Sequence, residues 1–368
     1  MHLLHASARL RRRARLGAAA LTLRVVVAAC SSGDDDTDAD TAASTGASSA
    51  DPATTAGGPD GTADSAAFPV TIEHKYGETT IDAAPERVVS VGFSDQDALL
   101  ALGVVPVGIR DWYGDQPFAT WPWASPGLGD AEPTVLPSTE LNFEQIRSLD
   151  PDLIVGVSSG MTEEEYATLS GIAPTLPQSA EFIDYGVPWQ EATRVIGEAT
   201  GRRAEADALI ADVEGQLQAA ADAHPEWDGL EAAVGYVLSE TEIGAYASAD
   251  PRPRLMAELG FVTPAEFDEL AGDLFYSSFS FEEMGRLDRD VLVWISGDPA
   301  INDQIRANPL REQLVAVDEG RELFLDQRQA GAFSFSSPLS IPYLLETLVP
   351  QLEAAADGDP ATEVPVGA

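Results

Sequence analysis

Apolar positions along the chain occur in short β-branched runs that are separated by stretches with helical spacing. From Phe68 onward this pattern predicts a hairpin over 70–81, followed by alternating strands and helices as far as Leu169. The predicted strands are 87–91, 104–109 and 152–157, and the predicted helices are 95–102, 143–149 and 162–169. Strands that alternate with helices in this way indicate an α/β lobe built on a parallel sheet.

An internal repeat predicts that a second lobe of similar fold follows the first. Residues 142–155 read NFEQIRSLDPDLIV and residues 280–293 read SFEEMGRLDRDVLV, with six of fourteen positions identical. Ordinary composition would give about one identity by chance. The order of helix, glycine, strand, Phe-Glu helix, Asp and strand therefore occurs twice. Recurrent helix–strand patterns without global symmetry are the alternative.

A long amphipathic stretch separates the two repeats. Residues 202–223 carry apolar side chains three and four residues apart, which is the pattern of a helix with one buried face. Such a helix would be roughly 33 Å long, about the size of a small lobe. Gly197 and Gly201 are expected to break the helical stretch before it. The predicted fold is α/β, with two similar lobes of mainly parallel sheet, a single long α-helix joining them and a ligand cleft between the lobes.

The first residues have the character of a lipoprotein signal peptide. Residues 1–29 contain six Arg and no acidic residue, and their apolar run ends in the sequence VAAC at Cys30. This resembles a bacterial lipobox, in which the Cys is lipidated. Arg24 inside the apolar run departs from the pattern, and the Arg run at 11–13 leaves both Sec and twin-arginine export open. We predict lipidation at Cys30 and a lipid-anchored position on the extracytoplasmic face of the cell membrane.

Composition limits what the chain can bind. Its 368 residues include 21 Lys and Arg against 61 Asp and Glu, for a formal net charge of −40. That charge argues against nucleic-acid binding, because phosphates attract basic surfaces. The single Cys excludes an intrachain disulfide, and the few His argue against a zinc or manganese site. We expect no intrinsic cofactor, no resident metal and a monomer.

These observations divide the chain into six segments. They are a lipoprotein signal peptide, a disordered acidic tether, an N-terminal α/β lobe, a helical connector, a C-terminal α/β lobe and a disordered tail. The tether is predicted because its sequence has almost no large apolar side chains. The boundaries are 1–29, 30–67, 68–187, 188–224, 225–356 and 357–368.

Several motifs in this order and spacing resemble the periplasmic-binding-protein family of iron–siderophore, haem and cobalamin uptake. The matching stretches read PERVVS, LALGVVPVG, LDPDLIV, LSGIAPT and SSPLSIP, beginning at residues 85, 100, 149, 169 and 336. The resemblance implies two α/β lobes joined by a long helix, and a role as the substrate-binding component of an ABC importer. The implied ligand is a ferric siderophore chelate, with haem or cobalamin as the alternative.

The same resemblance implies a role for one Glu in each repeat. In this family a Glu on each lobe docks into Arg-containing pockets of the two permease subunits, and Glu144 and Glu282 occupy the matching positions. Glu283 competes for the second position. Two separated carboxylates that bind together would fix the orientation of the receptor. The alternative is that both are ordinary first-turn acids, which the helix dipole favours.

Candidate ligand contacts follow the predicted strands, because ligands of open parallel sheets bind beyond the carboxyl ends of the strands. In so acidic a protein an anionic ligand needs local positive charge, and an Arg fork can bind carboxylate or hydroxamate oxygens. Arg252 and Arg254 stand just before a predicted helix, and the loop 112–123 is rich in aromatic residues that can cover a chelate. The candidate contacts are Phe93, Arg110, Trp112, Tyr113, Tyr246, Arg252 and Arg328.

Three other functions remain open from the sequence. Residues 156–160 read GVSSG, which satisfies the G-x-S-x-G pattern of a serine-hydrolase nucleophile elbow, with His224 as the one His downstream of it. A receptor for free metal ions would need more His, Asp and Glu at ligand spacing. A surface lipoprotein that binds another protein is the third alternative.

Overall fold

Two five-stranded sheets, one in each lobe, form the framework of the computed structural model, which describes Asp64 and residues 67–365. The predicted signal peptide, Cys30 and nearly all of the predicted tether lie outside the described residues, so those assignments stay predictions. Among the described residues, no helix combines the length and the apolar character needed to cross a membrane.

The elements run from an N-terminal hairpin to a long C-terminal helix. The strands are β1 Val70–His74, β2 Gly77–Ile81, β3 Val88–Ser90, β4 Gly108–Arg110, β5 Thr134–Leu136, β6 Leu153–Gly156, β7 Thr175–Pro177, β8 Ala232–Val237, β9 Glu242–Tyr246, β10 Tyr276–Ser280, β11 Val291–Trp294 and β12 Glu322–Phe324. The helices are α1 Asp95–Ala101, α2 Phe143–Ser148, α3 Glu163–Ser170, α4 Trp189–Ala199, α5 Arg203–Ala223, α6 Pro251–Glu258, α7 Ala265–Ala271, α8 Pro299–Arg306, α9 Val315–Asp318, α10 Gln327–Phe335 and α11 Ser340–Ala356.

The first sheet is fully parallel, in the order β5-β4-β3-β6-β7. Each element predicted between 70 and 169 is present, although β4 begins at Gly108 and not at residue 104. Residues 104–107 instead lead the chain out of α1, where the Val104 amide donates to the Leu99 carbonyl at 2.8 Å. Thr162 is the N-cap of helix α3 and forms a capping box, in which its side chain and amide both bond to Glu165.

The second sheet departs from the first on one side. Its order is β10-β9-β8-β11-β12, where β8, β11 and β12 are parallel and β9 runs antiparallel to both of its neighbours. The Phe-Glu segment of the repeat also differs, because Phe281–Leu287 is a 3-10 helix whereas α2 is an α-helix. The second lobe is therefore similar to the first in its parallel part, and β9 and β10 are added at its edge.

The long connecting helix is α5, which follows α4 after a short break. Gly201 lies in that break with a φ of +68°, a conformation that glycine adopts without strain. Gly197, which was expected to break the stretch, lies inside α4 instead. A Cβ at this position would come within 2.4 Å of the Ala206 Cβ, so the glycine allows α4 and α5 to pack closely.

The aromatic loop of the first lobe packs against the second lobe. Trp121 is 1% exposed and stacks on Trp123, with ring centroids 4.9 Å apart. Trp123 also contacts Phe335 of α10 and Tyr343 of α11. A Cβ on Gly331 would lie 2.8 Å from the Trp121 ring, so this glycine makes room for the indole. These two indoles therefore join the lobes, whereas Trp112 remains available at the cleft.

The described end of the chain runs back along the second lobe. Residues 357–365 belong to the segment that the sequence assigns to a disordered tail. In the structure the Pro365 carbonyl accepts a hydrogen bond from Gln351 Nε2 at 2.7 Å, and Val364 packs against the core of the second lobe. These contacts join the end of the chain to α11 and to the core of the second lobe. Amino-acid composition, on which the prediction of a disordered tail rests, carries no information about such contacts.

Candidate functional site

A cavity of about 220 Å³ opens between the two lobes. The first lobe contributes the loops after β3, β4 and β6, the connector contributes one face of α4, and the second lobe contributes the start of α6 and the turn between α10 and α11. The cavity lies beyond the carboxyl ends of the parallel strands of the first sheet, as expected for an open α/β sheet.

Aromatic rings from both lobes form a continuous belt in the wall of this cavity. Phe93 contacts Trp112 and Tyr185, with ring centroids 5.4 and 6.1 Å apart. Trp112 contacts Phe335 at 5.4 Å, and Tyr185 meets Phe275 edge to face at 5.8 Å. Phe93 and Trp112 were predicted as ligand contacts. The structure adds the other three rings, which lie far from them in the sequence.

Arg252 contributes a guanidinium group to the cavity wall. It lies in the first turn of α6, so Arg252 and Arg254 are inside this helix and do not precede it, contrary to the sequence-based expectation. Asp250 caps the helix and pairs with Arg252 through Nε at 2.7 Å and Nη2 at 2.6 Å. Burial works to lower the pKa of Arg252, but Asp250 and Tyr246 outweigh it and raise the pKa above its ordinary value. Tyr246 lies under the guanidinium, 3.5 Å from ring centroid to Cζ, so it supports the Arg252 position.

Arg110 supports the wall from outside the lining. Its Nη1 and Nη2 donate to the carbonyls of Val91 and Ser138 at 3.3 and 3.0 Å, and its guanidinium lies 4.3 Å from the centroid of the Phe93 ring. Burial lowers the pKa of Arg110. Its side chain thus ties three loops of the first lobe together and holds Phe93 in place.

Tyr113 and Arg328 also lie outside the cavity lining, as Arg110 and Tyr246 do. The Tyr113 hydroxyl donates to the Ala330 carbonyl at 3.1 Å, and burial raises the pKa of Tyr113 to about 12. Tyr113 lines a different cavity, beside β12 and the start of α10. Arg328 is exposed in the first turn of α10. The loops that were predicted to present these side chains are therefore close to the cavity, but the side chains point elsewhere.

Asp95 is a cavity residue that the sequence analysis missed. Its carboxylate accepts from the Ser158 amide at 3.0 Å, and burial raises the pKa of Asp95 to about 6. A Cβ at Gly92 would come within 2.0 Å of this carboxylate, so the turn after β3 requires glycine. The sequence signal that could have identified it is the polar run DQD at the start of a predicted helix. The structure shows that all three of these side chains are buried.

Asp97, on the same helix, forms a buried hydrogen-bonded link between the lobes. Its Oδ2 accepts from Trp123 Nε1 at 2.8 Å and from Ser337 Oγ of the second lobe at 2.6 Å. Its other carboxylate oxygen is buried without a hydrogen-bond partner. Burial raises the pKa of Asp97 to about 6, and the bonds from Ser337 and Trp123 limit the rise.

The two Glu of the repeat are both exposed. Glu144 lies in the first turn of α2, where Asn142 already provides the side-chain cap. Glu282 lies in the first turn of the matching 3-10 helix, and its neighbour Glu283 pairs with Arg286 at 2.9 Å. Among the described residues, Glu144 and Glu282 have no ion-pair partner, so both carboxylates are available to another molecule.

The elbow-like sequence GVSSG lacks a base in the structure. His224 stacks on Trp227 in the second lobe, with ring centroids 4.0 Å apart. Its two ring nitrogens lie 3.1 Å from carboxylates of Glu226 and Glu353. The serine at the nucleophile position of this sequence is Ser158, which lies beside Asp95 and donates its amide to that carboxylate at 3.0 Å. In the part of the chain that the structure describes, no cluster of three or more His, Cys, Asp and Glu could hold a metal ion.

Comparisons with known proteins agree with this arrangement. The chain is 27% identical over 258 residues to the Fe(3+)-citrate-binding protein YfmC of Bacillus subtilis, which covers 68% of this chain and 76% of that protein. A crystal structure of a periplasmic solute binding protein from Mycobacterium smegmatis matches with a TM-score of 0.70 and 34% identity, over 78% of this chain and 98% of that one. Streptococcus pneumoniae PiaA in complex with ferrichrome matches with a TM-score of 0.68 and 28% identity, over 78% and 99%.

The first two of these relatives are named as binding proteins, and the third was solved with a bound chelate. The sequence profile of the family described as periplasmic binding protein matches residues 88–328, which is more than half of the chain. The two lobes, the long helix α5 and the cavity between the lobes are the features that the motifs implied. The chain therefore belongs to the periplasmic binding protein family, and the prediction from its motifs is confirmed.

Proposed function

We propose that this protein is a membrane-tethered extracytoplasmic receptor that captures a ferric siderophore between its lobes and delivers it to an ABC importer. The observation that carries the proposal is the cavity, whose aromatic belt and single Arg suit a chelate with an apolar periphery and exposed oxygen atoms. The relatives support it, because YfmC is named for ferric citrate and PiaA was solved with ferrichrome. Haem or cobalamin remains the alternative ligand.

Titration with ferric chelates tests the capture step. The purified protein should bind at least one ferric siderophore, with quenching of Trp112 fluorescence. Phe93→Ala and Trp112→Ala should each weaken binding about tenfold or more, because each removes an aromatic face that covers the ligand. Tyr76→Ala is the matched control, since Tyr76 stacks on Tyr166 outside the cavity lining.

The ligand that the protein carries in its own host distinguishes the alternatives. An absorption spectrum of freshly isolated protein separates hydroxamate and catecholate complexes from haem and corrin. A haem or corrin spectrum would replace the siderophore assignment, and the cavity would keep its role as the binding site.

Lipidation of Cys30 provides the tether in this proposal. Cys30→Ser should remove the lipid and release the protein into the medium, because no acyl chain then holds it at the membrane. The measurement is the distribution of the protein between membrane and medium, together with mass spectrometry of the N-terminal peptide. An unmodified Cys30 in membrane-bound wild-type protein would refute the lipobox assignment.

A further inference from the structure

We propose that the cavity selects a ferric chelate whose metal centre is uncharged, as in a tris-hydroxamate, over the polyanionic complexes of citrate or catecholate. This inference rests on the proposed function and narrows its ligand. It follows from the number of positive and negative side chains in the cavity wall and from the partners that these side chains already have.

The charged side chains of the lining are Asp95, Asp250 and Arg252, so one cation faces two carboxylates. The Arg252 charge is already neutralised, because Asp250 is 1% exposed and binds two of its nitrogens. The sequence analysis assigned this guanidinium to an anionic ligand, but in the structure it is paired with Asp250. A buried, well-bonded pair of this kind cannot release its charge without leaving Asp250 buried and unpaired.

The neighbouring Arg side chains lie behind the cavity wall and are not part of its lining. Both terminal nitrogens of Arg110 are bonded to backbone carbonyls, and its guanidinium lies on Phe93, outside the lining. Arg254 Nη1 donates to the carbonyl of Gly186 and likewise lies outside the lining. A polyanion entering this cavity would lose its water without meeting an unpaired guanidinium in the lining.

The polar groups that remain are suited to neutral oxygen atoms. Arg252 Nη1 is not bonded to Asp250, and the hydroxyl-bearing residues Ser94, Ser158 and Tyr185 also line the cavity. Such donors can bond to the oxygens of a chelate whose charge is balanced internally. A ferric ion reaches neutrality with three monoanionic bidentate groups, and hydroxamates are such groups. Three catecholates leave three negative charges.

A panel of chelates of different charge tests this selectivity on the wild-type protein. We expect ferrichrome and ferrioxamine B to bind at least tenfold more tightly than ferric dicitrate or ferric enterobactin, by fluorescence quenching at matched ionic strength. Equal or tighter binding of the anionic chelates would overturn this inference and leave the siderophore receptor intact. Failure of all four chelates to bind would count against both proposals.

Asp250→Asn separates charge from shape. Asn also caps helices, so it can still accept the Arg252 amide, but it frees the guanidinium charge. The ratio of ferric dicitrate affinity to ferrichrome affinity should rise about tenfold or more, and an unchanged ratio would overturn the proposal. Asp95→Asn should move the ratio in the same direction, which keeps the test valid if Asp250→Asn does not fold. Asp268→Asn is the control, because Asp268 also accepts a backbone amide but lies outside the lining.

Discussion

Replacement of Glu144 and Glu282 together by Ala is expected to reduce uptake of labelled ferric chelate to near the level of cells without the receptor. Each carboxylate would accept charge-assisted hydrogen bonds from a permease Arg, which contribute roughly 1.5–3 kcal/mol per contact. The two contacts reinforce each other, because the first brings the second within reach. Each single variant should therefore show a smaller loss than the double variant, and Lys at either position should be worse than Ala.

Because both Glu side chains are exposed, their replacement should affect docking without changing folding or ligand binding. Neither has an ion-pair partner among the described residues, so chelate affinity and melting temperature should stay near the wild-type values. Glu163→Ala is the control for Glu144, since Glu163 is also an exposed first-turn acid of a helix. Glu283→Ala distinguishes the two candidates for the second position: because Glu283 is paired with Arg286, we expect it to retain more uptake than Glu282→Ala, and the reverse order would assign docking to Glu283. Full uptake by the double variant would rule out docking through these residues.

Asp97→Asn is expected to have a larger free energy of unfolding than the wild type at pH 8. At pH 4 this advantage over the wild type should be much smaller. Burial raises the pKa of Asp97 to about 6 in the folded protein, from an ordinary value of 3.8. Between these values the unfolded chain ionises while the folded protein keeps its proton, so the Asp97 contribution to stability falls as pH rises from about 4 to above 6. The difference in pKa corresponds to roughly 3 kcal/mol once both states are ionised.

The amide variant keeps the hydrogen-bond acceptor but cannot ionise. Its Oδ1 can accept from Trp123 and Ser337, so the link between the lobes is retained. Urea unfolding of both proteins at pH 4 and at pH 8 measures the effect. Asp130→Asn, at an exposed carboxylate, should change stability equally at both pH values. If Asp97→Asn behaves like Asp130→Asn, the Asp97 carboxylate is not the cause of the pH dependence.

Local patterns predicted the elements of the first lobe well, because each pattern is the direct cause of its element. The β-branched run at β3 forms a buried strand, and Thr162 with Glu165 caps α3 through bonds between residues three apart. The spacing of apolar side chains in α5 likewise records the face that the helix buries. The repeat predicted β11, one of the parallel strands of the second lobe. It carried no signal for β9 and β10, where the two lobes differ.

Only part of the candidate site could be predicted from the sequence. Phe93 and Trp112 were identified because they follow predicted strands, and Arg252 because it was expected just before a helix. All three line the cavity. Tyr185 and Phe275 complete the belt from segments 90 residues apart, and no local pattern relates them. The sequence determined the elements, the two-lobed fold and the order of the loops, because short-range spacing sets these features. Only the tertiary structure decided that Asp250 neutralises Arg252 and that Asp97 meets Ser337, since burial and contact between distant segments depend on how the two lobes pack.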